Sequence, residues 1–169
     1  MSFKPVVLLY DLNNTLIDDC ARLIGQTGLY TTINTYNEAN AVEALHQYNR
    51  LFGILTNRLS CVITGWNNYK RPRDQFLFRV RSDEKRSPLR SATPVIMITE
   101  DHRLDLRQIA LDPTDGNVSA YLHVDNFQVA IADTLHKIVF GNSAQEMNSV
   151  AFAKLQRELE EDEKEEPVK

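Results

Sequence analysis

The feature that most constrains this chain is a five-fold alternation of short apolar runs with segments of helical period. "PVVLLYDL" (Pro5 to Leu12) is a continuous apolar run closed by a polar stop, the pattern of a strand covered on both faces in a parallel sheet. "NNTLIDDCARLIGQTG" follows with Leu16, Cys20 and Leu23 or Ile24 at helical spacing, Asn14 as N-cap and Gly28 as stop. The unit then repeats. "LYTTINTY" is rich in β-branched residues, and "NEANAVEALHQYNRL" offers Asn37 as a cap and a stripe of Ala41, Leu45, Tyr48 and Phe52. "SCVITGW" (Ser60 to Trp66) predicts a third strand and "RDQFLFRVR" a third helix; "TPVIMITE" (Thr93 to Glu100) and "HRLDLRQIAL" predict the fourth pair. "SAYLHV" (Ser119 to Val124) and "QVAIADTLHKIVF" (Gln128 to Phe140) predict the fifth.

Strands alternating with helices of this length imply right-handed βαβ crossovers, with helices on both faces of a mostly parallel sheet. Such α/β sheets hold ligands at the carboxyl ends of their strands. Those ends are Asp11, Leu12 and Asn13 after the first strand, Thr64 to Asn67 after the third, Thr99 and Glu100 after the fourth, and Val124 and Asp125 after the fifth.

A length of 169 residues fits one domain with an appendage, and 43% hydrophobic with 25% charged residues is ordinary globular composition. The expected division is residues 1–141 for the domain and 142–169 for a C-terminal helix with an acidic tail. In "SAQEMNSVAFAKLQRELEEDEKEE", Met147, Ala151, Leu155 and Leu159 recur at i, i+4 steps; this stripe either docks on a partner or second copy, or packs on its own domain. Seven acids against two lysines from Glu158 to Lys169 account for the net charge of −4, leaving the rest near neutral. Lys70 to Arg90 carries eight Lys or Arg against three acids without stacking aromatics, which reads as a solvated loop, so direct nucleic-acid binding is not expected. Cys20 and Cys61 show no metal-ligand spacing and are expected as buried thiols; His46, His102, His123 and His136 fall in four different elements, so no metal site and no cofactor is expected. The start "MSFKP" lacks a leader pattern and no run approaches a membrane span, so a cytoplasmic protein without membrane contact is expected.

On "VITGWNNYKRPRDQFLFRVR" and "TPVIMITE", supported by "VVLLYDLNNTLIDDCARLI", "AVEAL" and "AYLHVDNF", residues 5 to 140 resemble the receiver domain of two-component response regulators, CheY-like proteins. The resemblance implies a flavodoxin-like (βα)5 fold with sheet order 2-1-3-4-5, here with an extra C-terminal helix. It also implies a phosphorylation pocket, and this chain departs from it. The phosphoacceptor aspartate at the end of the third strand corresponds to Gly65, the acid pair after the first strand becomes Asp11 and Leu12, and the lysine of the fifth strand becomes Val124. The hydroxyl residue of the fourth strand is kept as Thr99, either as a sensor or as a cap of the next helix. Glycine cannot form an acyl phosphate, and Asp11 with backbone carbonyls is a poor octahedral site for Mg²⁺. Asp11 is thus either a remaining metal ligand or a strand-end carboxylate held by loop N–H groups. The expectation is a degenerate pseudo-receiver, not an enzyme, that signals through a protein partner and forms a possible homodimer. The family's contact face maps to the fourth helix, fifth strand and fifth helix, including Leu104, Tyr121, His123, Ile131 and Leu135. With twenty-nine residues after Phe140, no DNA-binding output domain is expected.

Two other readings compete. "YDLNNTLIDD" also resembles the first motif of haloacid-dehalogenase-like phosphatases, with Asp11 as nucleophile in a Mg²⁺-dependent reaction and Thr56, Lys70 and Asp125 in the later motifs. There the second aspartate is Asn13, which cannot serve as general acid, and "TPVIMITE" has no role. In the third reading the terminal helix supplies the seam of a structural dimerisation scaffold.

Overall fold

Each apolar run becomes a strand because alternate side chains bury themselves in two different helical layers. The computed structural model describes residues 4–49, 58–86 and 91–165. Its strands are β1 (Val6–Tyr10), β2 (Thr31–Thr35), β3 (Leu59–Thr64), β4 (Val95–Thr99) and β5 (Ala120–His123). They form one parallel sheet in the order β2-β1-β3-β4-β5, the doubly wound arrangement expected. Along β1, Val7 and Leu9 face α1 (Asn14–Gln26) and α5 (Phe127–Val139), joining Ile17, Ile24, Ile131 and Leu135. Leu8 and Tyr10 point the other way, to α2 (Glu38–Asn49), α3 (Phe76–Lys85) and α4 (Leu104–Leu111), with Phe76, Leu77 and Leu106. Period-two alternation in the strand thus divides one apolar run between two cores.

A sixth helix, α6 (Ala144–Glu165), follows α5 and touches α4, α5 and β5. Ala144 and Met147 pack on the α1–α5 core, whereas Ala151, Phe152, Leu155 and Leu159 pack on the opposite one. The helix therefore crosses the outer edge of β5, and Leu155 ends fully buried. Asn148 pins it there, donating from Nδ2 to the carbonyls of Leu111 (2.9 Å) and Val118 (2.7 Å). Arg107 of α4 adds an ion pair to Glu158 at 2.9 Å and holds that carboxyl below its usual range through the hydrogen bond. Covering the edge of a sheet this way removes a site for unwanted strand pairing. The apolar stripe of the terminal segment packs on its own domain.

Several local expectations are corrected. The N-cap of α1 is Asn13, not Asn14, since its Oδ1 accepts the Leu16 N–H at 3.2 Å. Gly28 stands just past the helix at φ +69°, a left-handed position suited to glycine. The third helix starts at Phe76, because Pro72–Asp74 forms a 3₁₀ turn and Gln75 ties the loop, accepting the Asn67 N–H at 2.7 Å. The basic stretch is not simply solvated. Arg81 is 7% exposed and donates to the carbonyls of Gly116 (2.7 Å), Thr93 (2.9 Å) and Asn117 (3.3 Å) while pairing with Glu84 (2.7 Å). Asp83 to Lys85 complete α3 and Leu59 opens β3; residues 50–57, with Phe52 and Thr56, and residues 87–90 lie outside the described residues. Both cysteines are buried, and burial pushes the Cys20 thiol up to about 12 and that of Cys61 further still.

Candidate functional site

At the carboxyl end of the sheet, β1, β3, β4 and β5 deliver Asp11, Gly65, Thr99 and Val124 to one region, as their register requires. A cavity of about 290 Å³ opens there, lined by Asp11, Asp19, Glu100, Thr99, Val124, Trp66, Tyr69 and neighbouring residues of α1 and α5. Leu12 is not part of it. That side chain is 58% exposed and borders a separate hollow with Tyr10, Glu38 and Arg71, so the second acid position faces away from the cavity.

Asp11 is held by the turn that follows it, with Oδ1 accepting the Asn13 N–H at 2.9 Å. Burial raises its carboxyl above the ordinary range, opposed by the N–H groups of Asn13 and Leu12. Its other oxygen lies against Gly65. A Cβ built on Gly65 would stand 2.7 Å from Asp11 Oδ2 and 2.6 Å from the Ile98 carbonyl oxygen, where ordinary contact begins at 3.4 Å. A side chain at Gly65 would therefore require its neighbours to shift. Electrostatics points the same way: three carboxylates line the cavity, and none of its lining residues is Lys, Arg or His. The three carboxylates would repel a phosphate brought here, and no cationic side chain among the described lining residues opposes them. Lys70 and Asp125, named for the phosphatase reading, do not line it.

Thr99 is engaged in a turn. Its Oγ1 accepts the Asp101 N–H at 3.1 Å, and since α4 begins only at Leu104 it does not cap that helix. The turn aims the Asp101 carbonyl at Tyr121, whose hydroxyl donates to it at 2.6 Å. The same hydroxyl accepts Nε1–H of Trp66 at 2.7 Å. Trp66, 5% exposed, thus joins the β3 end to β5 through one hydrogen bond, and Tyr121 ties β5 to the loop after β4 through a second, which holds Tyr121 inward. Burial, the largest influence, raises the Tyr121 hydroxyl well above its usual range, so it stays protonated and able to donate.

The expected contact face is rearranged. Ile131 and Leu135 are each 0% exposed because they point from α5 onto the sheet, so no partner touches them. Leu104, Tyr121 and His123 are half-buried, with Leu104 and Tyr121 packed against the core that α6 completes. His102 and His123, in separate elements of the sequence, stack with ring centroids 4.8 Å apart. Sequence reasoning missed this pair and the Trp66–Tyr121 bond, whose partners lie 21 and 55 positions apart. The lone tryptophan directly after a strand end was the available signal.

No helix among the described residues is long and apolar enough to cross a membrane. A scan of protein families finds no match to the chain, and a search of curated proteins finds none either. Solved structures do resemble it. The RcsB response regulator of Salmonella typhimurium aligns with a TM-score of 0.63 at 11% identity, covering 92% of this chain and 69% of that one. The signal receiver domain of NarL from Mycobacterium tuberculosis gives 0.60 at 15% identity, covering 83% and 99%. The signal receiver domain of an HD domain-containing protein from Pseudomonas fluorescens Pf-5 gives 0.58 at 17% identity, covering 85% and 95%. At these identities the likeness establishes the fold: this chain has the CheY-like, flavodoxin-like architecture of response regulator receiver domains.

Proposed function

We propose that this protein is a phosphorylation-independent, receiver-like module of a two-component-type pathway, acting in the cytoplasm by binding another protein. In this reading residues 1–141 are the receiver-like unit and 142–169 a C-terminal appendage whose helix α6 supplies the cover. The observation that carries the reading is Gly65, where a Cβ would meet the Ile98 carbonyl oxygen at 2.6 Å and the Asp11 carboxylate at 2.7 Å. Without an acceptor carboxylate there is no acyl phosphate, and without a cation in the lining there is no counter-charge for one. The Trp66–Tyr121–Asp101 chain supports a single resting conformation, read by the partner in place of a phosphorylation state. Because α6 covers α4 and the edge of β5, the partner reads a surface that includes α6.

The test is incubation with acetyl phosphate or beryllium fluoride in the presence of Mg²⁺, followed by intact mass measurement and Trp66 fluorescence. The expected result is no added phosphoryl mass and unchanged emission. Stoichiometric, hydroxylamine-sensitive labelling of an acidic residue overturns the proposal. A generic aryl phosphate given with Mg²⁺ is expected to remain intact, and turnover abolished by Asp11→Ala would favour the phosphatase reading instead.

A further inference from the structure

We infer that the stacked pair His102 and His123 makes the Trp66–Tyr121–Asp101 chain acid-labile, so that lowering the pH frees Trp66 and opens the cavity beside Asp11. His102 directly follows Asp101, whose carbonyl receives the Tyr121 hydroxyl. Its ring stands edge-on to Tyr121 at 5.1 Å and lies against His123 at 4.8 Å. Its Nε2 is buried with no hydrogen-bond partner among the described residues. A neutral imidazole tolerates this seat, whereas a proton placed on that nitrogen would bury a cation without an acceptor.

The surrounding charges give little relief. From α4, Arg107 adds positive charge, and the Glu158 of α6 that faces it is already paired with it at 2.9 Å. In the loop itself Asp101 is committed to Arg103 at 3.1 Å. From β5 come Tyr121, which is neutral, and His123, whose Nδ1 accepts the Asp125 N–H at 3.1 Å and lies 3.4 Å from the Asp125 carboxylate. A protonated His102 would lie against the His123 ring at 4.8 Å, and the His123 Nδ1 is already occupied by the Asp125 N–H. Burial first, then His123 and Arg107, lower the proton affinity of His102 below the ordinary 6.5, with the backbone hydrogen bond to Thr99 and then Asp101 opposing. The sign follows: the closed form binds fewer protons than an opened one, so it is favoured above pH 6.5 and loses ground as pH falls below it. Because Asp101 supplies both the neighbour of His102 and the acceptor of Tyr121, displacement of that loop releases Trp66.

The chain has a single tryptophan, so its emission reports this site alone. Titration from about pH 7.5 to about pH 5, spanning the histidine range, is expected to red-shift Trp66 emission and raise its quenching by acrylamide while the far-UV circular dichroism stays constant. His102→Gln and His102→Phe, the second keeping the ring contact without the proton, both remove the transition. His136→Gln and Asp11→Asn both retain it. The inference is overturned if emission is flat until global unfolding, if the shift persists in the two His102 variants, or if it disappears in Asp11→Asn. No partner and no phosphoryl donor enters the test, so its result is separate from that of the preceding proposal.

Discussion

Replacing Gly65 by alanine tests whether this strand-end position is merely without a side chain or closed to one. The added Cβ would stand 2.6 Å from the Ile98 carbonyl oxygen, and ordinary contact requires 3.4 Å, so β3 and β4 must separate locally by the difference. These strands are paired neighbours, from Val62↔Val95 to Thr64↔Met97, so the movement strains their ladder. Overpacking of this kind costs roughly 1–3 kcal/mol. For a domain of this size each kcal/mol corresponds to about 2–4 °C, so Tm should fall by roughly 2–12 °C. The second close contact, 2.7 Å to Asp11 Oδ2, involves the end of a side chain that can rotate. Gly65→Ala measured in an Asp11→Ala background should therefore keep more than half of its cost, a double-mutant cycle that assigns the strain to the backbone. Urea unfolding followed by Trp66 emission gives both numbers. Gly65→Asp should be at least as destabilised and should still refuse acetyl phosphate. A Gly65→Ala variant as stable as the parent, or a stable Gly65→Asp variant that takes up phosphate, would refute the reasoning.

The remaining predictions concern the cover helix, the buried arginine and Asp11. Leu155→Ala removes a 0% exposed side chain from the seat of α6 and should cost about 2–5 kcal/mol, with faster amide exchange in α6 than in β1 or β3. Arg81→Met strips three carbonyls and Glu84 of their donor and should cost roughly 3–5 kcal/mol in denaturant unfolding; Arg81→Lys should recover only part, because an ammonium cannot fork to all four acceptors. Asp11→Asn should stabilise the protein at neutral pH. The Asp11 carboxyl is raised from 3.8 by burial, so its ionisation costs stability as pH climbs from 3.8 through the raised value; the gain should vanish when the pH is lowered to 3.8 or below. Thermal melts of both proteins across that range check the sign.

The two-sided burial of β1, β3 and β4 and the meeting of the strand ends that carry Asp11, Gly65, Thr99 and Val124 were implicit in the linear pattern, whereas the sheet order was what the resemblance to receiver domains implied. Apolar runs of strand length separated by helical periods leave right-handed crossovers as the arrangement that buries both faces, and strand ends then meet at one rim. Local chemistry was legible to within a residue, as with the cap at Asn13 beside the expected Asn14. Contacts between distant elements were not. Nothing in the spacing told that Ile131 and Leu135 turn onto the sheet, that Arg81 leaves the basic stretch to staple three carbonyls, or that Met147 to Leu159 fold back over β5. Sequence alone determined that Gly65 cannot carry phosphate, because the missing atoms are covalent facts. Only the tertiary structure decided that a side chain there crowds the Ile98 carbonyl and that Trp66 holds Tyr121, because both depend on how β3, β4 and β5 approach one another, a distance set by packing across the whole sheet.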